Sequence, residues 1–255
     1  MPSRVGWAAV TADPLAPLLD LPGVAEAAEH ARDALGRAHR HRANLRGWPV
    51  TAAEAGLRGA RASSVLDGGT LQLDENTVED PVFAGSLRVA QALEGGATTL
   101  VGVWRRAPLQ ALARMHSLAA ADLVFEDALG RPRLNPETSA RLDLMARLVT
   151  GGSAVPAPIL TAVAHGELLT LSAFGSADGV VARGVGRLVS IATGLDPHGL
   201  GVPEVFWMRR AADYREAAQG FASGTEDGLT RWLVLTCRAL QEGAREAVAI
   251  ADAKA

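Results

Sequence analysis

The sequence predicts an all-α protein with at most one small β-hairpin. Three observations carry that expectation. Apolar residues recur at helical steps of three, four and seven along most of the chain, runs of β-branched residues are sparse, and aromatic residues make up only 4% of the composition.

The elements follow in order. Pro2, Pro14, Pro17 and Pro22 suit an extended lead-in. From Gly23 to Arg46, Val24, Ala28, Ala31, Leu35, Ala38 and Leu45 form an apolar stripe, with Glu26, Glu29, Arg32, Arg40 and Arg42 opposite. His30 and the run His39-Arg40-His41-Arg42 read as a solvated basic face. Gly47-Trp48-Pro49 is expected to break that helix, and Thr51-Ala52-Ala53-Glu54 has the form of a capping box that opens another. After Gly68-Gly69, Leu71 and Leu73 alternate with polar residues, as in a short extended piece.

Helical spacing resumes from Ser86 to Leu93 and from Pro108 to Leu123, and Gly130-Arg131-Pro132-Arg133 reads as an exposed turn or small hairpin. Three further helices are expected over Pro136 to Val149, Ala157 to Leu171 and Val180 to Thr193. The last runs from Leu229 to about Ala251, with Trp232, Leu233, Thr236, Leu240, Ala244 and Ala247 on one side and Cys237 beside them as a small buried hydrophobe.

The chain has 255 residues, 48% of them hydrophobic and 21% charged, which allows a real core and excludes disorder. A net charge of -3 leaves no bulk footprint for nucleic acid or for an anionic membrane. One cysteine forms no internal disulfide, and no Cys/His spacing resembles a zinc site. His165-Gly166-Glu167 lacks the paired cysteines a zinc deaminase needs. The apolar stretch Val5 to Val10 is too short for an export signal, and no run approaches a membrane span, so a cytoplasmic protein is expected.

The informative stretch is residues 164–183, in which an apolar helix enters a loop of small residues and a second helix leaves it. The loop amides and the new helix's N-terminus make a potential anion cradle. Here the sequence resembles the Fic/DOC family, whose core is His-Pro-Phe-x-Asp/Glu-Gly-Asn-Gly-Arg-x-x-Arg. Ala164-His165-x-Glu167-Leu168 is similar to the helix before the family loop, and Arg114-Met115-His116 to an upstream family segment. Tyr214-Arg215-Glu216-Ala217, Trp232 and Ala239-Leu240-x-x-Gly243-Ala244 are similar to its closing helices. The resemblance implies a Fic-like helical domain over residues 60–255, preceded by an N-terminal extension over 1–59, with a flap hairpin and dimers as possibilities of the family.

Against the family pattern, the working positions are replaced. The general-base histidine corresponds to Ser172, and a hydroxyl is no base near neutrality; such a catalyst contributes about 10²- to 10⁴-fold in rate. The acidic metal ligand corresponds to Ser176, which removes the anionic oxygen magnesium prefers. The asparagine becomes Asp178 and the first arginine Val180. A lost charge-assisted contact to phosphate costs about 1.5–3 kcal/mol. A carboxylate about 4 Å from a phosphate charge adds roughly 4 kcal/mol of repulsion at an effective dielectric near 20.

Phe174, Gly179, Ala182 and Arg183 persist, as loop anchor, tight turn, close packing and a guanidinium that needs an acid, which Asp67 or Asp178 supplies. His116 reads as a satisfied helix histidine, and Trp207-Met208-Arg209-Arg210 as a basic and apolar cluster that packs on the preceding helix or, as the alternative, contacts a partner.

Ser63-Ser64-Val65-Leu66-Asp67-Gly68 resembles the family's inhibitory motif Ser/Thr-x-x-x-Glu-Gly/Asn, with Asp67 in place of glutamate. The resemblance implies that this acid pairs with Arg183 and blocks the nucleotide phosphates. The same residues also read as a helix cap followed by a turn. The expectation is a Fic-fold protein that lacks adenylyl transfer, holds no metal and binds Mg-ATP weakly or not at all, acting on an unidentified protein partner or small ligand. A divergent transferase using another phosphorylated donor is the alternative, with Glu167, Ser172, Asp178 and Arg183 as its polar groups.

Overall fold

A computed structural model of the chain describes residues 13–70, 80–94, 99–133 and 135–254. The described residues contain helices and turns and no strand. In chain order the helices are α1 (Val24–His39), α2 (Arg42–Leu66), α3 (Pro81–Leu93), α4 (Thr99–Trp104), α5 (Pro108–Ala120), α6 (Pro136–Arg147), α7 (Ala157–Leu171), α8 (Asp178–Ala192), α9 (Pro203–Arg209), α10 (Ala211–Ser223) and α11 (Glu226–Ala253).

Helices α7 and α8 pack against each other at the centre. Both are lined with buried residues on most sides, as a helix must be when neighbours cover it all round. Two apolar clusters flank the pair. One gathers α3, α4, α5 and α6 around Val181, Val185 and Leu188 of α8; the other gathers α1, α9, α10 and α11 around Ile159 and Ala162 of α7. Residues 172–177 join α7 to α8, so the loop is fixed at both ends by the core.

Several local expectations change. The break falls at Arg40-His41 rather than at 47–49, and α2 runs on through Pro49. Asn44 Nδ2 donates to the Ala38 carbonyl at 2.8 Å and Thr51 Oγ1 to Asn44 Oδ1 at 2.7 Å, so Thr51 is an interior anchor and no cap. Leu45, one turn before Pro49, is exposed, and water can satisfy the carbonyl that Pro49 leaves without a donor.

Arg40 and Arg42 are exposed, but His39 is half-buried with Nε2 2.8 Å from Asp196 Oδ1, and His41 meets Asp252 at 3.1 Å. That stretch is therefore tied down rather than solvated. The proline-rich lead-in forms a 3-10 turn over Ala16–Asp20. The extended piece expected at Leu71 and Leu73 lies outside the described residues. Helix α2 crosses residues 59 and 60 without interruption. Among the described residues no helix is long and apolar enough to cross a membrane.

Candidate functional site

The loop begins where α7 ends in a left-handed residue, Ser172 at φ +45°, whose hydroxyl donates to the Leu169 carbonyl at 3.1 Å. It ends on another, Ala177 at φ +50°, a conformation that costs an L-residue about 1–2 kcal/mol. Contacts on every side hold this bent backbone. The Arg133 N–H donates to the Ala173 carbonyl at 2.7 Å, and its guanidinium reaches the Ser172 carbonyl at 3.3 Å. Of the exposed turn or small hairpin expected at 130–133, the turn is present at Gly130, and residues 131–133 follow it without forming a strand and lie against the loop.

Phe174 is buried and stacks on the His116 ring, with centroids 4.0 Å apart and planes within 7°. The Gly130 N–H donates to His116 Nδ1 at 2.9 Å, so the neutral ring carries its proton on Nε2, which donates to Ser176 Oγ at 3.1 Å. Burial pulls the His116 pKa below the ordinary imidazole value.

Two carboxylates take up the amides of this bend. Asp178 accepts the Phe174 N–H at 2.9 Å and the Gly175 N–H at 2.7 Å. Burial pushes its carboxyl above the ordinary carboxylate range, against those two amides and Arg133. Asp67, just past the end of α2, accepts the Val180 N–H in the first turn of α8 at 2.9 Å through Oδ2. Its Oδ1 lies 2.8 Å from Arg183 Nη2.

Gly179 is helical and makes no turn; a Cβ there would collide with the Asp67 carboxylate, so its role is to let that acid approach the helix end. Gly68, at φ +92°, is the left-handed residue that follows Asp67 at the end of α2. The Val180 side chain is buried among apolar neighbours, and only its amide faces Asp67.

Arg183 is 2% exposed. Its Nε donates to Ser63 Oγ at 2.8 Å and its Nη2 to the Ser63 carbonyl at 2.9 Å. Burial opposes its charge, but Tyr214 and Asp67 outweigh that and hold its pKa above the usual guanidinium value. Of the two acids the sequence offered, Asp67 is the partner, and Asp178 closes the loop instead.

Behind Arg183 lies Tyr214, whose hydroxyl accepts from Arg183 Nη1 at 3.5 Å and meets His165 Nε2 at 2.8 Å. Burial pushes the Tyr214 phenol up to about 12. Burial, helped by Arg183, drives His165 well below the ordinary imidazole value.

Ser63, Asp67, Ser172, Phe174, Ser176, Asp178, Gly179, Val180 and Arg183 therefore share one place. Sequence reasoning missed Tyr214, the chain's single tyrosine, as a partner of Arg183, and Arg133, legible only as part of a turn.

No family model matches the sequence, and no curated protein matches it. Among solved structures the chain is similar to a Fic family protein from Desulfovibrio desulfuricans G20, with a TM-score of 0.68 over 89% of this chain and 74% of that one, at 17% identity. At that identity the likeness is one of architecture: the chain has an all-α, Fic-like fold.

Proposed function

We propose that this is a Fic-fold protein that does not transfer nucleotides and acts by binding another protein or a small ligand. The observation that carries this reading is that the chain's own carboxylates fill the loop's anion cradle. An N-terminal helix turn and a bend of free amides attract phosphate because their donors point at one spot. Here the Phe174, Gly175 and Val180 amides point at Asp178 and Asp67, and the nearby guanidinium of Arg183 is neutralised by Asp67. A triphosphate would have to displace both acids or sit beside them, at roughly 4 kcal/mol of repulsion per close unit pair.

The donor set does not fit magnesium either. Ser176 Oγ is engaged by the His116 N–H, and the Asp67 and Asp178 oxygens face donors. General-base chemistry is equally unsupported. Ser172 has its hydroxyl turned back onto α7, while His116 offers no free lone pair, because Nδ1 accepts the Gly130 amide and Nε2 bears the proton. In this reading residues 63–68 act as a fixed internal plug rather than a reversible inhibitor.

The test is transfer of label from α-labelled ATP with magnesium to protein in a cell lysate, by the wild-type chain and by Asp67→Ala. The expected result is no label above a protein-free control for either. Mg-ATP-dependent labelling by Asp67→Ala would identify an inhibited enzyme and overturn the reading.

A further inference from the structure

We propose that a cleft between α2, α3 and α8 binds a small molecule with an apolar body and a single hydroxyl, of the simple phenol or alcohol class. Neither Asp67 nor residues 172–177 line it, although its inner end shares Ser63, Val180 and Arg183 with the site described above. The cleft has two adjoining parts with lining residues in common. The outer part encloses about 340 Å³ behind small apolar walls, Ala52 and Gly56 on α2 and Ala90 on α3, with Gln91, Glu94 and His198 among its lining. That volume lies at the small end of ligand pockets.

The inner part, about 20 Å³, shares Ala90, Leu93 and Arg187 with the outer one and ends at Ser86, Arg183 and Glu204. It has room for one oxygen-sized group.

Two polar atoms point to that group. Glu204 is 2% exposed and Ser86 3% exposed, and among the described residues neither Glu204 Oε2 nor Ser86 Oγ has a hydrogen-bond partner. Such orphaned buried groups cost about 1–3 kcal/mol each. The other Glu204 oxygen lies 3.6 Å from Arg187 Nε, and Arg187 is held by the Gly201 carbonyl at 2.8 Å.

A carboxylate oxygen only accepts, and a serine hydroxyl can donate. A hydroxyl is the group whose chemistry suits both, donating to Glu204 and accepting from Ser86. The charges around the chamber are already paired, Arg183 with Asp67 and Arg187 with Glu204, so an ammonium would find no uncompensated acid there, and a carboxylate head would face Glu204.

The test is calorimetric titration of the full chain with 4-methylphenol and with toluene, which has the same body without the hydroxyl. The expected result is saturable binding of 4-methylphenol about tenfold tighter than toluene. Ser86→Ala should bring the two within about threefold, and Gly56→Leu should abolish 4-methylphenol binding. A Cβ at Gly56 meets only the Ala90 Cβ, at 3.9 Å, so the leucine can enter the outer cleft without displacing backbone. Equal affinity for the two probes, no saturable 4-methylphenol binding, or full binding by Gly56→Leu would each overturn the proposal.

Discussion

At the scale of single residues, the contrast between the two acids is the most informative feature. Asp67 and Asp178 stand near the same helix end, yet one neutralises a buried guanidinium and the other ties two loop amides. Sequence alone left both as partners for Arg183, because spacing does not say which way a loop folds back.

Phe174 was legible as an anchor from its residue type. The tautomer of His116 was not, because it depends on an amide fourteen residues away. His165 carries a prediction at this scale. Its pKa is depressed by burial and by Arg183, whereas the unfolded chain titrates near 6.5. Between 6.5 and the folded value, the unfolded state holds a proton that the folded state refuses, so stability present above 6.5 is lost as the pH falls.

His116 and His198 are shifted the same way. Urea unfolding from pH 7 down to pH 5 should show falling stability, with up to about 1.4 kcal/mol per pH unit for each fully shifted histidine. His165→Gln keeps a hydrogen-bonding group for Tyr214 and should remove about one histidine's share of that slope. An unchanged slope would mean that His165 is not the group that titrates.

At the scale of elements, helices with long apolar stripes were readable and short ones were not. The expected span Ala157 to Leu171 coincides with α7, while α4 and α9, six and seven residues long, carry too few turns for periodicity to register. The false break at 47–49 has a physical cause: Pro49 removes one donor, but Asn44 and Thr51 supply side-chain bonds that hold the helix across it.

Close helix contacts were also invisible, since a glycine in a helix gives no hint of what lies against it. Gly85 of α3 faces the Ala119 carbonyl of α5 so closely that a Cβ would collide with backbone. Gly85→Ala gains about 1 kcal/mol of helix propensity, but the obstacle cannot rotate away, and overpacking of this kind costs about 1–3 kcal/mol. Urea unfolding should show a net loss. Gly56→Ala, whose Cβ meets the Ala90 Cβ at an ordinary 3.9 Å, should show the gain, and a gain at Gly85 as well would mean that α3 and α5 are less tightly apposed.

At the scale of the whole molecule, the fold class was readable because helical periodicity pervades the chain, and the Fic-like architecture because the resemblance was spread over α7, the loop, α8 and the closing helices. What composition could not convey is how a long helix, α2, delivers Asp67 from 113 residues away to the Val180 amide. The central claim is that this delivery leaves no seat for a triphosphate. Calorimetric titration of Mg-ATP into the full chain tests it most directly. No saturable heat is expected up to millimolar nucleotide, whereas a one-to-one isotherm with micromolar affinity would contradict that claim.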